Sequence, residues 1–205
     1  MNLNLFFTPT DILLPAHADM RRWSVIACDQ FTADAGYWQA VQDTVGDAPS
    51  TLRLMLPEFY LGKCDEAAAT REIQQTMRRY LDDGVFRTVP HSLVLVQRTL
   101  PGGAVRCGVV GALDLEAYDY APDSVTPIRA TEGTVASRLP ARVRIRAAAA
   151  LEMPHIMVFY SDPEDTIRRE AQAAAGETLY DFDLMSGGGH VRGLRIAGAK
   201  ADALA

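Results

Sequence analysis

The chain has 205 residues, of which 48% are hydrophobic and 22% charged, and its formal net charge is −6 at pH 7. This length and composition suit a single globular domain, residues 1–205, that can bury a core. The acidic balance argues against a general nucleic-acid-binding protein, because such proteins neutralise phosphates with an excess of Lys and Arg. A local anion site remains compatible with it.

The cysteines and the N-terminus indicate the compartment. There are three cysteines and no Cys-x-x-Cys motif, which favours buried thiols over a disulfide framework. The N-terminus has no basic region and reaches Asp11 early, which is atypical of a signal peptide. No apolar run approaches the roughly 20 residues that span a bilayer. We therefore expect a cytoplasmic protein with no membrane partner.

In the first half of the chain, apolar runs predict strands over residues 23–29, 50–57 and 91–99. Apolar residues at helical spacing predict helices over 34–46 and 65–84, each ended by a glycine. The turn Pro-Gly-Gly-Ala joins the strand at 91–99 to a second strand from Val105, so the two form a hairpin.

In the second half, residues 131–151 follow a helical pattern in which Pro140 starts a second helix. A strand is predicted over 154–160, and a helix over 161–176 opens with a capping box formed by Ser161 and Glu164. A last hairpin joins 178–184 to 190–198. Interleaved helices and strands predict an α/β or α+β fold with a mixed β-sheet and flanking helices.

Several phrases are more specific than a generic fold pattern. They are WSVIACDQF, YWQAV, GDAPSTLRLMLPE, VVGALDLEAYDY, IRATEGTVASRLPARVRIR, LEMPHIMV and LYDFDLMSGGGHVRG. Together, and in this order, they resemble the N-terminal part of domain-of-unknown-function family 1015, over nearly the whole chain.

The resemblance implies no settled activity. Longer family members carry a downstream phrase similar to Asp-Gly-His-His-Arg, which looks like the phosphate-contacting helix start of the ParB/sulfiredoxin-like fold. Proteins of that fold bind nucleotides, and some transfer phosphate, which implies a nucleotide with Mg²⁺ as the cofactor. The present sequence contains no such phrase. We therefore expect a truncated chain, a shortened gene product or a subunit that completes its site with another chain, for example in a homodimer.

An arginine-rich stretch is the first candidate site. Guanidinium groups suit phosphate or carboxylate because they donate paired hydrogen bonds. If Pro140 permits a continuous helix, one face presents three of the arginines. The alternative is a solvated helix face whose arginine stems cover apolar surface. The candidate anion-binding residues are Arg129, Arg138, Arg142 and Arg146.

A pair of carboxylates is the second candidate. Asp29 ends an apolar run, and Glu132 opens a predicted helix. Such groups can act as a general base or hold Mg²⁺ beside phosphates. The structural alternatives are turn capping by Asp29 and a favourable interaction of Glu132 with a helix N-terminus.

His155, His190 and Gly188 are further pocket candidates. Backbone N–H groups of the Ser-Gly-Gly-Gly-His phrase can cradle phosphate, although a glycine turn between two strands explains the phrase equally well. His155 reads either as a hydrogen-bonded structural residue or as an acid or base. No His or Cys cluster has metal-ligand spacing, so no metal site is predicted.

Three functions therefore stay open. The first is a nucleotide- or phosphate-binding small-molecule enzyme, such as a phosphotransferase, or an incomplete version of one. The second is a module that binds an anionic metabolite without turnover. The third is a structural subunit that needs a partner chain to complete its site.

Overall fold

A computed structural model describes residues 6–26, 31–130, 133, 135–153 and 155–205. The helices are α1 (Met20–Trp23), α2 (Ala35–Val45), α3 (Glu66–Asp82), α4 (Leu139–Arg146), α5 (Thr166–Ala174) and α6 (Ala199–Leu204). The strands are β1 (Phe7–Thr8), β2 (Thr10–Pro15), β3 (Phe86–Thr99), β4 (Val105–Val110), β5 (Ala112–Leu113), β6 (Tyr118–Asp119), β7 (Ile128–Arg129), β8 (Thr178–Asp183) and β9 (His190–Ala197). Within these residues, no helix has the length and apolarity that a bilayer crossing requires.

A five-stranded sheet is built around the long strand β3. Strands β2, β4 and β9 all pair with β3, β8 pairs with β9, and every pair is antiparallel. The parallel pair in the described chain is the short β6–β7. The predicted combination of helices and strands is confirmed, as are the hairpin of β3 with β4 and the hairpin of β8 with β9.

One face of the sheet carries an apolar core. Leu93 and Leu95 of β3 and Ile196 of β9 are buried against Ala171 of α5 and Ala201 of α6. Because side chains alternate across a strand, these positions share a face, and the small alanines let the two helices approach it closely. This core fixes β3 and β9, whose other ends carry the candidate site described below.

The helical part of the chain packs around aromatic side chains. Trp23, Met77 and Tyr80 form one buried cluster, and Tyr37 and Trp38 belong to a second. The second cluster also contains Met185, which lies in the turn between β8 and β9. A buried methionine thus anchors this turn against α2.

The local signals for α2 and α3 are confirmed. Asp34 caps α2 by accepting a hydrogen bond from the backbone N–H of Tyr37 (2.8 Å), and Gly46 ends the helix with φ at 52°. Asp65 caps α3 with bonds from two N–H groups, and Gly84 follows that helix at φ 66°. Acidic N-caps and left-handed glycines are the expected start and stop of a helix.

Three predicted strands are wrong. Asp19 instead starts α1, which ends at Trp23, while 24–26 are irregular and 27–29 lie outside the described residues. Ser50 caps a 3₁₀-helix over Thr51–Leu54, because its hydroxyl accepts from Leu52 N–H (3.3 Å) and offers the backbone an alternative to a strand ladder. Residues 155–160 form no ladder with any described strand.

The capping box predicted from Ser161 and Glu164 is also wrong. Helix α5 begins later, at Thr166. The carboxylate of Asp162 accepts hydrogen bonds from the N–H groups of Thr166 and Ile167, both at 2.9 Å. An aspartate one position further on therefore does the capping that the serine was expected to do. Pro140, in contrast, lies in the first turn of α4 as predicted.

Candidate functional site

The turn between β8 and β9 is the candidate site. Asp183 and His190 are the last paired residues of the two strands, and Leu184 N–H donates to the carbonyl of Gly189 at 2.8 Å. A 3₁₀-helix, Met185–Gly187, fills the turn. Because Met185 is buried and the strands are fixed, the backbone of this turn is held from both ends.

The three glycines of the turn have distinct reasons to be glycine. Gly187 has a φ of 67° and Gly189 a φ of 93°, both in the left-handed region that favours glycine. A Cβ on Gly189 would lie 2.1 Å from the carbonyl oxygen of Thr99, so the turn rests directly on the end of β3. A Cβ on Gly188 would lie 2.2 Å from Cδ1 of Ile26.

His190 lies between two carboxylates. Its Nδ1 is 2.8 Å from Oδ1 of Asp183, and its Nε2 is 2.7 Å from Oδ1 of Asp181. A carboxylate only accepts, so both ring nitrogens must carry a proton to make both bonds. The hydrogen bond to Asp183, supported by that to Asp181, raises the pKa of His190 and stabilises the imidazolium.

Two arginines extend this arrangement into a row of alternating charge. Arg21 Nη2 is 3.1 Å from Oδ2 of Asp183, and Arg192 Nε is 3.5 Å from Oδ2 of Asp181. The hydrogen bond from His190, with contributions from Arg21, lowers the pKa of Asp183. With His190 charged, the row has three cations and two anions, so it carries a net positive charge on an acidic protein.

A shallow, open recess of about 300 Å³ lies beside this row. It is lined by the ends of β3, β8 and β9 and by the glycine turn, namely Thr99, Leu100, Asp183, Leu184, Gly187, Gly189 and His190. Nη2 of Arg98, on β3, donates to the carbonyl of Gly188 at 3.1 Å and so ties the turn to the central strand. The sequence-predicted residues Gly188 and His190 are therefore brought together here.

The arginine-rich stretch lies elsewhere, on and around α4. Nη2 of Arg142 is 2.8 Å from Oε1 of Glu58, and Nη2 of Arg146 is 2.6 Å from Oε1 of Glu152. Arg144 pairs in the same way with Glu66. Each of these charges therefore has a carboxylate beside it.

Two further candidate arginines precede α4 in the chain. Nε of Arg129, in β7, donates to the backbone carbonyl of Thr126 at 3.0 Å. Arg138 ends the 3₁₀-helix Ala136–Arg138, and its side chain is not among those described. Arg129 thus lies on a separate short strand from Arg142 and Arg146.

Asp29 and Glu132 both lie outside the described residues. Their role as general base or Mg²⁺ ligand therefore stays a prediction. His155 is exposed, and residues 155–160 have no regular secondary structure. Over the described part of the chain, no group of three or more His, Cys, Asp or Glu residues is arranged to hold a metal ion.

Sequence reasoning missed Asp181, Asp183, Arg21 and Arg192. A signal was present for three of them: Asp181 and Asp183 are two residues apart in β8, as are His190 and Arg192 in β9. A period of two places each pair on one face of its strand. Antiparallel pairing then sets opposite charges across from each other, which is a favourable cross-strand pattern. Nothing local to Arg21 in the sequence indicates its contact with Asp183.

A family model described as "Protein of unknown function (DUF1015)" matches residues 9–203. No curated protein and no solved structure is significantly similar to the chain.

Proposed function

Because the chain belongs to the DUF1015 family, whose description assigns no activity, we propose its function from geometry: the recess beside the turn of β8 and β9 binds the phosphate, or a similar anionic group, of a small metabolite. The backbone N–H groups of Gly187 and Gly189 form the anion-binding side of the recess, because the N–H of Gly188 already donates to the Met185 carbonyl at 3.1 Å. The His190 imidazolium, whose two N–H groups donate to Asp181 and Asp183, adds its positive charge beside them. Arg21 and Arg192 keep the local charge positive.

The observation that carries this proposal is the alternating backbone of the glycine turn. The φ angles of Gly187, Gly188 and Gly189 are 67°, −67° and 93°. Successive residues of opposite hand turn their N–H groups towards one side, and such concave arrangements bind anions. Here the concave turn adjoins an imidazolium, so dipoles and a full charge favour the same kind of ligand.

The size of the recess favours a small ligand. Ligand pockets usually measure about 300–1,000 Å³, and the recess, at about 300 Å³, is at the lower end. A phosphate group or a small phosphorylated metabolite suits this volume better than a whole nucleotide. A nucleotide with Mg²⁺, which the ParB/sulfiredoxin-like relationship implies, is a more specific version of the same proposal.

The enzymatic form of the proposal gives the catalytic roles to Asp29 or Glu132. One of them would act as general base or Mg²⁺ ligand. In this form Arg129 and Arg142, which are not part of the recess lining, would hold the phosphate that is transferred. The binding-only form needs none of these residues. Product formation from ATP in the presence of Mg²⁺ separates the two forms, because a metabolite-binding module is stabilised by its ligand without turning it over.

Thermal unfolding in the presence of inorganic phosphate, glycerol 3-phosphate or ATP with Mg²⁺ tests the proposal. Sodium chloride at matched ionic strength controls for general screening. We expect at least one phosphate compound to raise the Tm of the wild type in a concentration-dependent way. His190→Gln should abolish the increase because it removes the positive charge at the recess.

His91→Gln is the matched control. His91 is also an exposed histidine paired with one carboxylate, since its Nε2 lies 2.8 Å from Oδ1 of Asp202, but it lies near the other end of the described sheet. We expect this variant to keep the ligand-dependent increase in Tm. An equal response of His190→Gln and wild type, or no response to any of the three compounds, would contradict the proposal.

A second function, that of a subunit completed by a partner chain, is favoured by one surface. Five consecutive apolar residues, Ile156 to Tyr160, have exposed fractions of 48–76%. Their backbone makes no hydrogen bond with the described backbone outside them. Contiguous exposed apolar surface of this kind is typical of interaction sites, and an unpaired extended segment can add to the edge of another sheet.

A further inference from the structure

We propose that Arg98 and Arg106 together bind an anionic group, a phosphate or a carboxylate, on the face of the central sheet opposite to His190. This site uses none of the residues of the recess lining. Its link to the turn is the hydrogen bond from Arg98 to the Gly188 carbonyl, which a change at Arg106 leaves in place, so substitution of Arg106 tests this site separately from the function proposed above.

The strand register brings the two arginines together. Arg98 of β3 and Arg106 of β4 are directly opposite partners in the antiparallel ladder. Directly opposed residues project from the same face with Cβ atoms roughly 4.5–5.5 Å apart. Thr99, the next residue of β3, pairs with His190, so alternation places the arginines and the histidine on opposite faces.

This pairing is unfavourable without a counter-charge. Like charges directly opposite each other destabilise an antiparallel pair. Across the described residues, neither Arg98 nor Arg106 is within ion-pair distance of a carboxylate. The ladder partners around them on this face are Val96, Gly108 and Val191, which carry no charge.

Arg98 is also incompletely hydrogen-bonded. Its Nη2 donates to the carbonyl of Gly188 at 3.1 Å, but its Nε is buried and has no hydrogen-bond partner. Buried polar groups in proteins are nearly always satisfied, so an unpaired guanidinium nitrogen calls for an explanation. A bound anion beside the pair would neutralise its charge, and a shift of the Arg98 side chain would expose the buried Nε as a further donor to that anion.

Another arginine on the same face shows the usual alternative. Arg195 pairs with Val94 across the ladder and so shares this face. Its Nε donates to the hydroxyl of Ser92 at 2.9 Å, and its Nη1 lies 3.7 Å from Oε2 of Glu177. The sheet thus satisfies Arg195 with its own residues, whereas Nε of Arg98 and the side chain of Arg106 have no such partner among the described residues.

There is room for a ligand beside the pair. Gly108 is two residues after Arg106 in β4 and faces the same side. Among the described residues, and apart from Gly108 and its two chain neighbours, no heavy atom lies within 4 Å of the position that a Cβ on Gly108 would occupy. A small anion can therefore approach the exposed Arg106 side chain across the glycine.

Titration of the full chain, labelled with ¹⁵N, tests this site residue by residue. Inorganic phosphate and succinate are added separately at constant ionic strength, because a phosphate and a carboxylate are the two chemistries that the arginines accept. We expect saturable shifts of the amide signals of Arg98, Arg106 and Gly108 with at least one of the two probes. The probe that saturates at the lower concentration identifies the ligand class.

Arg106→Gln is the decisive variant. Arg106 is exposed and makes no side-chain hydrogen bond with the described residues, so this change should leave the fold intact. We expect it to weaken binding at least about tenfold, as for the loss of one charge-assisted contact. Arg87→Gln, which removes another exposed arginine of β3, should leave the affinity unchanged. His190→Gln should also leave it unchanged, so failure of the recess and failure of this site give different results.

An Arg106→Gln affinity equal to that of the wild type would overturn the proposal. So would the absence of saturable shifts at these amides with both probes. In either case the arginine pair would be an unneutralised feature of the surface and not a binding site.

Discussion

Alanine substitutions at four glycines test the backbone geometry on which the candidate site rests. Each position isolates a different combination of two constraints, a positive φ and a lack of space for a Cβ. Gly187 has a positive φ and open space, Gly188 has a clash only, Gly189 has both, and Gly102 has neither. All four lie in turns next to the central sheet, so the comparison is closely matched.

The expected magnitudes follow from these two constraints. A left-handed φ destabilises alanine by about 1–2 kcal/mol, while replacing glycine stiffens the unfolded chain and returns about 0.4–1 kcal/mol. Gly187→Ala, at φ 67°, should therefore destabilise the protein by about 1 kcal/mol. Gly102→Ala should be neutral or slightly stabilising.

Gly189→Ala should be the most harmful of the four. Its Cβ would lie 2.1 Å from the Thr99 carbonyl oxygen, which is backbone and cannot move aside as a side chain can. Overpacking of this kind adds about 1–3 kcal/mol, so we expect a total of about 2–4 kcal/mol. Gly188→Ala should be intermediate, because the end of the Ile26 side chain can rotate away from the new methyl group.

Urea denaturation followed by far-UV circular dichroism measures these differences as changes in midpoint at constant slope. A Gly189→Ala variant no less stable than Gly187→Ala would refute the close approach of the turn to β3. A Gly102→Ala variant as unstable as Gly187→Ala would show that the loss has nothing to do with φ.

Two other predictions concern pH and self-association. Because the pKa of His190 is raised, its pairing stabilises the folded state fully below about pH 6.5 and loses this effect as the pH rises through the folded-state pKa. The difference in free energy of unfolding between wild type and His190→Gln, measured in urea, should therefore shrink above pH 6.5. A difference that grew with pH would contradict the pairing. The lowered pKa of Asp183 acts in the opposite sense, so Asp183→Asn should be most harmful above about pH 4 and should lose its effect as the pH falls further. If the segment from Ile156 to Tyr160 binds a second copy of the chain, sedimentation velocity should show association that increases with concentration. Val158→Asp should abolish this association, whereas Val125→Asp, at another exposed valine, should not. A wild type that stays monomeric at the highest concentration would exclude a second copy as the partner.

Elements defined by local chemistry could be predicted from the sequence. Helix α3 has an acidic N-cap, an apolar stripe and a terminal glycine, and all three are present in the structure. The apolar run in β3 and its Gly-Gly turn likewise specify a hairpin within one short stretch of chain. In these places, the signals that specify the element lie next to each other in the sequence.

Apolar runs without such signals were ambiguous. Within residues 50–57, predicted as a strand, Thr51–Leu54 form a 3₁₀-helix. Besides the local cap by Ser50, the hydroxyl of Thr51 accepts from Val25 N–H and donates to the carbonyl of Trp23. Those partners are more than 25 residues away, and the apolar run itself does not specify them. A short apolar run is compatible with a strand or a helix, and distant contacts decide between them.

In the candidate site, too, some residues can be recognised from the sequence and others only from the strand pairing. The glycines and His190 stand out in the sequence, whereas Asp181, Asp183 and Arg192 become meaningful only once the register of β8 and β9 is known. Arg98 and Arg106 passed without notice for the same reason, since they are ordinary strand arginines until the ladder sets them opposite each other. Pairing register, and not residue type, creates both charged groupings.

Each glycine of the turn has a packing or backbone reason to be glycine that does not involve a ligand. The Thr99 carbonyl accounts for Gly189, the Ile26 side chain accounts for Gly188, and a left-handed φ accounts for Gly187. Glycine at these positions therefore does not by itself require a bound anion, and the case for one rests on the alternating backbone of the turn together with its position beside the cationic His190. The fold explains Arg98 and Arg106 less fully: Nη2 of Arg98 holds the Gly188 carbonyl, but its buried Nε has no partner among the described residues, which opposes folding instead of supporting it. An anion at that pair would convert an unfavourable arrangement into a favourable one, which is why the arginine pair is the sharper of the two tests.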